Sequence, residues 1–149
     1  MECAPRDFGL AVGVLGVEMF VSEGRLLLNE IAPRPHNSGH YTLDACVTNQ
    51  FEQQVRALCG LPLGAARIHS VAVMVNLLGE LWIPGVDHGI REPDWRTLLS
   101  MPGLKLHIYG KHHPWPGRKM GHFTVVGEYP AMVYETAMAA RAAIGIGDD

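Results

Sequence analysis

Two short apolar segments near the start of the chain lie on either side of a polar turn. Residues 12–21 are apolar and partly β-branched, which predicts a buried strand, and residues 26–31 predict a returning strand. The sequence Ser-Glu-Gly-Arg at 22–25 is typical of a turn, so the two segments form a predicted β-hairpin. Pro33 and Pro35 end this hairpin.

The pattern then changes to a helical period. Asn49 followed three residues later by Glu52 fits a capping box at the start of a helix. Gly60 and Pro62 end that helix. Its predicted apolar face consists of Phe51, Val55 and Leu58.

The second half of the chain changes to short strands, and the sequence Leu-Pro-Leu-Gly at 61–64 marks the change. We therefore predict an α+β protein with two domains, 1–64 and 65–149. The first ends in the hairpin and helix, and the second is a small β-rich domain with a terminal helix. Its predicted elements are strands at 68–78, 104–109 and 120–126, a short helix at 93–99, and a last helix from Pro130 to residue 143.

Composition and charge exclude several classes of protein. The 149 residues are 48% hydrophobic and 18% charged, which is typical of a globular domain, and a formal charge of −3 provides no basic surface for nucleic acid. The most apolar run, 10–21, is too short for a membrane span and contains Glu18. Three cysteines without a CxxC pair indicate a reducing compartment, so we expect a soluble cytoplasmic protein without a disulfide framework.

The hairpin carries the first candidate site. A tight turn places Glu18 opposite Asn29, or opposite Glu30 if the loop is odd or bulged. Both carboxylates interrupt apolar runs, where an unpaired charge is costly, and a Mg²⁺ ion would offset that cost. The alternative is that both glutamates point to solvent on an exposed face.

The loop after the hairpin carries the second candidate site. Arg34 lies between two prolines that stiffen the backbone, only four residues after Glu30, and His36 follows. A metal, an arginine and a histidine close together suit a triphosphate and a second anion. The alternatives are a solvated surface loop, or a zinc site at His36 and His40, which Pro35 and Gly39 disfavour because they make a regular helix there doubtful.

A basic loop between two predicted strands is the third candidate site. Lys111 and Arg118 flank a proline-rich segment and are able to clamp a phosphate from two sides. The alternative is a basic hairpin tip that only contacts solvent.

The order of these segments resembles one family. GVEMFV followed by LLLNEIAPRPHNSGHYT is similar to the distal metal-binding part of an ATP-grasp domain, and NQFEQQVRALCGLPLG is similar to the helix that follows. MPGLKLHIYGK and PGRKMGHFTV are similar to the small C-terminal β-domain of the ATP-dependent 5-(carboxyamino)imidazole ribonucleotide synthetases. The resemblance covers residues 12–126.

The resemblance implies an ATP-grasp ligase of purine biosynthesis. ATP and bicarbonate give carboxyphosphate, and the amine of 5-aminoimidazole ribonucleotide is then carboxylated, leaving ADP and phosphate. The implied cofactors are ATP and Mg²⁺, with Mn²⁺ as a substitute. The implied roles are metal ligation by Glu18 and Glu30, nucleotide contact by Asn29 and Glu30, catalysis at bicarbonate by Arg34 and His36, and substrate binding by Asn37, Lys111 and Arg118.

The resemblance also implies partners that this chain does not itself supply. The family's N-terminal part, with its glycine-rich phosphate loop, belongs upstream of the hairpin, whereas Gly9, Gly13 and Gly16 lie within or beside a strand-like run. We therefore expect a fragment that is inactive alone and a homodimer in the intact enzyme. Trp115 also stands where the family usually has an arginine before PGRK.

Two other functions stay open at this point. The formate-dependent glycinamide ribonucleotide transformylase, another ATP-grasp enzyme, has a similar string after its metal carboxylate. A truncated, non-catalytic binding fragment is the alternative outside the enzymes.

Overall fold

The computed structural model describes residues 12–83 and 89–147, in a mixed α+β fold. The chain divides into two compact units between His69 and Ser70. In its described part, the first unit holds the hairpin and two helices. The second holds a three-stranded sheet and two helices.

The predicted hairpin is present. Strand β1 spans Gly16–Ser22 and strand β2 spans Arg25–Ala32, paired antiparallel with Ser22 opposite Arg25. The two-residue turn uses Glu23 and Gly24, whose φ angles are 49° and 73°. Positive φ at both positions matches the right-handed twist of the flanking strands, and glycine adopts it without a steric cost.

The prediction that the first strand is buried is wrong for the described residues. Among the described residues, the hairpin forms a sheet of two strands with no third strand on either edge. The His36 loop covers part of it near Gly16 and Glu18, which are half-buried. Successive side chains alternate between the faces of a strand, and neighbours on both faces are exposed. The exposed apolar residues of the hairpin are Val17, Met19, Phe20, Val21, Leu26, Leu27, Leu28 and Ile31.

Helices α1 (Thr42–Ala45) and α2 (Gln50–Leu58) follow the hairpin. The Asn49 side chain caps α2 by accepting the backbone N–H groups of Phe51 and Glu52 at 3.0 Å. The second half of the predicted capping box is absent, because the Glu52 carboxylate pairs instead with Arg56 one turn later, at 2.7 Å. The predicted apolar face has the right spacing, but its members Phe51, Val55 and Leu58 are exposed.

The second unit is built on an antiparallel sheet with strand order β3-β5-β4. Its strands are Val71–Leu78, Leu104–Ile108 and Lys119–Gly127, numbered β3, β4 and β5 along the chain. Helix α3 (Trp95–Leu99) is short and capped by Asp94, and helix α4 spans Pro130–Ala143 with proline at its first turn, as predicted.

The core of the second unit lies between this sheet and α4. The central strand β5 is buried at every residue from Met120 to Val125, and its apolar residues Phe123 and Val125 share one core with buried positions of α4. The buried α4 residues Val133, Ala137 and Ala140 recur at spacings of three and four. Among the described residues, none of the helices has the length and apolarity needed to cross a bilayer.

Candidate functional site

A β-bulge brings two carboxylates of the hairpin opposite each other. Glu18 pairs with Glu30, whereas the next residue, Met19, pairs with Leu28. Asn29 is therefore the extra residue of the bulge, and its side-chain amide donates to Glu18 Oε2 at 3.3 Å. Of the two registers that the sequence left open, the structure adopts the bulged one and still keeps Asn29 in contact with Glu18.

His36 lies between the two carboxylates. Its Nδ1 is 3.1 Å from Glu18 Oε1, and its Nε2 is 3.8 Å from Glu30 Oε1. Nδ1 also lies 2.9 Å from Ser38 Oγ. The His36 side chain is only 12% exposed, against 31% for Glu18 and 49% for Glu30. One ring contacting both carboxylates requires that they project from the same face of the hairpin.

The loop that carries His36 begins where β2 ends. Arg34 N–H donates to Ala32 O at 2.8 Å, which turns the chain between the two prolines. The Arg34 guanidinium is exposed, and its described hydrogen bond goes to Pro35 O at 3.1 Å. Arg34 is thus next to the carboxylate pair in sequence but does not contact it.

Asn37 and the cavity beside His36 complete this end of the first unit. Asn37 begins a 3₁₀ turn, Asn37–Gly39, and its Oδ1 is buried without a hydrogen-bond partner among the described residues. A buried acceptor without a donor is unfavourable, so a ligand that donates to it gains stability there. An open cavity of about 290 Å³ adjoins the same turn and is lined in part by His36, Ser38 and Tyr41.

The basic loop of the second unit holds both predicted cations against its own backbone. Lys111 Nζ donates to Lys119 O at 2.6 Å and lies 5.4 Å from the centre of the Tyr109 ring. The Arg118 guanidinium lies 3.8 Å from the centre of the Trp115 ring and donates to His113 O. Trp115 thus provides a cation–π contact to Arg118.

The residues that follow β3, Gly79 and Glu80, hydrogen-bond to this loop and fix its position. Gly117 N–H donates to Glu80 Oε1 at 2.8 Å, and Gly79 N–H donates to Arg118 O at the same distance. A Cβ on Gly79 would lie 2.7 Å from Trp115 N, so only glycine permits this approach. Sequence reasoning missed this role of Gly79 and Glu80, because a Gly-Glu pair after a strand signals only a turn.

A tyrosine–histidine contact supports the strand that leads into the loop. Tyr109 Oη lies 2.7 Å from His122 Nδ1, and the His122 ring stacks on His107 with centres 4.5 Å apart. Burial raises the pKa of Tyr109, so the phenol keeps its proton and its capacity to donate.

The two candidate sites belong to different units. The carboxylate pair lies in the first unit, and the basic loop lies in the second.

Two family models match the chain, one in each unit. The ATP-grasp domain matches residues 6–51, which include the hairpin and the His36 loop. The phosphoribosylaminoimidazole carboxylase C-terminal domain matches residues 72–136, which include the sheet and the basic loop.

Individual proteins match over most of the chain. The N5-carboxyaminoimidazole ribonucleotide synthase of Bacillus subtilis is 55% identical over 114 residues, covering 76% of this chain and 28% of its own length. The crystal structure of the Thermotoga maritima synthetase matches with a TM-score of 0.76 and 48% identity, over 89% of this chain and 36% of that one. The Aspergillus clavatus synthase, solved with ADP and 5-aminoimidazole ribonucleotide, matches with a TM-score of 0.75 and 36% identity, over 89% and 35%.

The chain thus spans about a third of its relatives' length, 28% to 36% in these three. Taken together, the two family models and these relatives show that the chain belongs to the N5-carboxyaminoimidazole ribonucleotide synthase family of ATP-grasp proteins, and that it represents the C-terminal part of such a protein.

Proposed function

We propose that this chain provides the metal-binding end of the ATP site and part of the substrate site of an enzyme of purine biosynthesis. The enzyme uses ATP and bicarbonate to carboxylate 5-aminoimidazole ribonucleotide, forming N5-carboxyaminoimidazole ribonucleotide, ADP and phosphate. Relatives solved with ADP, and with ADP together with 5-aminoimidazole ribonucleotide, support this assignment. The enzyme is proposed to work in the cytoplasm, where the free thiols of Cys46 and Cys59 stay reduced.

The observation that carries the proposal is the carboxylate pair. Glu18 and Glu30 face each other across the hairpin and share His36 between them. Their hard oxygen atoms fit Mg²⁺, with Mn²⁺ as a substitute, because such a site supplies one or two carboxylates and leaves the remaining positions to phosphate oxygens. When bound, the metal supplies positive charge that offsets the charge of the ATP phosphates.

The residues around the pair are proposed to contact the reacting anions. Asn29 and Glu30 are the nucleotide contacts, and Arg34 and His36 face bicarbonate or carboxyphosphate. A guanidinium carries five N–H groups, and the described hydrogen bond of Arg34 uses one nitrogen. Its other N–H groups are therefore able to donate to an anion. Asn37 is proposed as a substrate contact, a role that its unpartnered buried Oδ1 supports.

Lys111 and Arg118 are proposed to bind the ribonucleotide phosphate. Lys111 donates to the carbonyl of Lys119, at the start of β5, and Arg118 donates to the carbonyl of His113, so both side chains are already ordered and little side-chain entropy is lost when they bind an anion. The intact enzyme is proposed to be a homodimer that includes the N-terminal part of the ATP-grasp fold.

Replacing Arg118 by alanine in the intact enzyme is expected to raise the KM for 5-aminoimidazole ribonucleotide about tenfold or more, with the KM for ATP nearly unchanged. The reason is the loss of one charge-assisted contact to the phosphate, worth about 1.5–3 kcal/mol. Steady-state phosphate release measures both constants. Arg96→Ala, an exposed arginine of the same unit on α3, is the matched control and should change neither constant. Equal increases in both constants for Arg118→Ala would contradict the phosphate role.

The second candidate function is the formate-dependent transformylase. The match of residues 72–136 to the phosphoribosylaminoimidazole carboxylase C-terminal domain favours the carboxylating enzyme. We expect the intact enzyme to release phosphate from ATP with 5-aminoimidazole ribonucleotide and bicarbonate, and not with glycinamide ribonucleotide and formate. The reverse preference would replace the proposal by the transformylase, and phosphate release with neither substrate pair would leave a non-catalytic binding role.

A further inference from the structure

The side chain of Gln50 pairs with the backbone of His36 in the way that one peptide group pairs with another. His36 N–H donates to Gln50 Oε1 at 2.9 Å, and Gln50 Nε2 donates to His36 O at 2.8 Å. Both bonds are partly buried, and they join residues 14 positions apart. They fix the peptide groups on both sides of the His36 side chain.

The orientation of the Gln50 amide follows from this pairing. A backbone N–H only donates, so the amide atom facing His36 N is the oxygen, and the nitrogen must face His36 O. The second Nε2 hydrogen points to His40 Nδ1, 2.7 Å away, which then accepts it. Both amide hydrogens are therefore used, and a flipped amide would set two donors against each other.

Two glycines let this arrangement close tightly around His36. A Cβ on Gly39 would lie 2.9 Å from Gln50 Cδ, and a Cβ on Gly16 would lie 2.8 Å from His36 Cβ. A Cβ on Gly39 would displace the Gln50 side chain, and a Cβ on Gly16 would displace His36. The close approach on both sides leaves the His36 backbone little room to move.

Gln50 is itself held in place. It is the first residue of α2, directly after the capping Asn49. Its own N–H donates to Thr42 Oγ1 at 3.1 Å, and that hydroxyl donates to Gly39 O at 2.6 Å. The amide therefore projects from a fixed backbone position toward His36.

We propose that Gln50 is a positioning residue that sets the His36 imidazole between Glu18 and Glu30. This inference deepens the proposed function and rests on it, because the position of His36 matters to the reaction only if the carboxylate pair is the metal end of the site. Gln50 itself contacts neither carboxylate in the described structure. It acts through the backbone of His36.

The chain offers a matched control on the same helix. Gln53 makes the same two bonds to another residue: it accepts Gly64 N–H at 3.0 Å and donates to Gly64 O at 2.7 Å. Replacing Gln50 or Gln53 by methionine, which has nearly the same shape, removes the same hydrogen bonds from α2. Only the Gln50 change removes bonds to His36, the residue that contacts Glu18 and Glu30.

The first measurement is the rate at which diethyl pyrocarbonate modifies His36 in the 149-residue chain, followed by mass spectrometry of peptides. We expect Gln50→Met to raise this rate about fivefold or more, because the lost bonds release a ring that is now only 12% exposed. Gln53→Met should leave the rate unchanged. Gln50→Glu keeps an acceptor for His36 N–H but sets a second acceptor against His36 O, so its rate should lie between those of the original chain and Gln50→Met.

The second measurement is kinetic and uses the intact enzyme. Gln50→Met should lower kcat about tenfold or more and leave the KM for 5-aminoimidazole ribonucleotide within about twofold, because a misplaced His36 slows the reaction while Lys111 and Arg118, the proposed phosphate contacts, keep their own hydrogen bonds. Gln53→Met should change neither. Equal effects of the two methionine variants, or an unchanged His36 rate in Gln50→Met, would overturn the positioning role. An intact enzyme that does not carboxylate 5-aminoimidazole ribonucleotide would refute the proposed function instead, and the modification rates would still decide the role of Gln50.

Discussion

Replacing Glu30 by glutamine in the intact enzyme is expected to abolish ATP turnover, with a loss of about a hundredfold or more, while the protein stays folded. Glu30 faces Glu18 across the bulge and contacts His36 at 3.8 Å. Glutamine has the same shape but no charge, so it removes one of two anionic ligands proposed for Mg²⁺. The Glu30 side chain is 49% exposed, so its removal costs the fold little.

The measurement is ATP-dependent phosphate release at limiting Mg²⁺, with thermal unfolding as the test of folding. Glu23→Gln is the matched control, because Glu23 lies in the turn of the same hairpin, seven residues before Glu30 in the sequence. The control should behave as the original enzyme. Near-normal turnover of Glu30→Gln at limiting Mg²⁺ would refute the metal role of this carboxylate.

The 149-residue chain on its own is expected to show no measurable ATP-dependent carboxylation. It spans 28% of the length of the Bacillus subtilis relative, and its match to the ATP-grasp domain is confined to residues 6–51. Catalysis of this kind requires both reactants to be held at reacting distance in a site that excludes water. The hairpin, which has exposed apolar residues on both faces, is proposed to provide one wall of such a site.

The same exposed hairpin is expected to make the isolated chain self-associate, since unpaired strand edges and apolar faces bind further strands. Size-exclusion chromatography and phosphate release with ATP, Mg²⁺, bicarbonate and 5-aminoimidazole ribonucleotide test both expectations. Val21→Thr with Leu26→Thr, at positions 75% and 69% exposed, should reduce association without restoring activity. Substrate-dependent phosphate release from a monodisperse preparation would contradict the expectation.

Local signals in the sequence predicted most of the secondary structure. A Glu-Gly turn between apolar runs fixed the hairpin, Asn49 fixed the start of α2, and Pro130 fixed the start of α4. Each of these signals acts within four residues, so no knowledge of the rest of the fold was needed. The α+β class followed from their order.

Burial was harder to predict, because it depends on what packs against an element. The apolar hairpin and the apolar face of α2 have the spacing of buried elements, but the described chain places no layer on them. Hydrophobic periodicity indicates which face an element offers for burial. It does not indicate whether the chain itself supplies the partner.

The candidate site shows the same limit. The acidic pair and the basic loop were found because carboxylates in apolar strands and cations around prolines are unusual. The choice between Asn29 and Glu30 as the partner of Glu18 stayed open, because one extra residue in a strand changes the register. Gln50 and Glu80 were missed, because their partners lie 14 and 37 residues away in the sequence.

The stacking of Trp115 against Arg118 gives the basic loop an optical reporter of its own. The other two tryptophans have ring centres 5.4 Å apart, Trp82 buried in the core and Trp95 half-buried, whereas Trp115 is 52% exposed. Iodide therefore reaches the Trp115 indole preferentially, and the guanidinium 3.8 Å from that ring attracts the anion. A phosphate that occupies the guanidinium competes with iodide for the same charge. If Arg118 binds the substrate phosphate, iodide quenching of the unlabelled protein is therefore expected to fall as the loop is occupied, without reference to turnover.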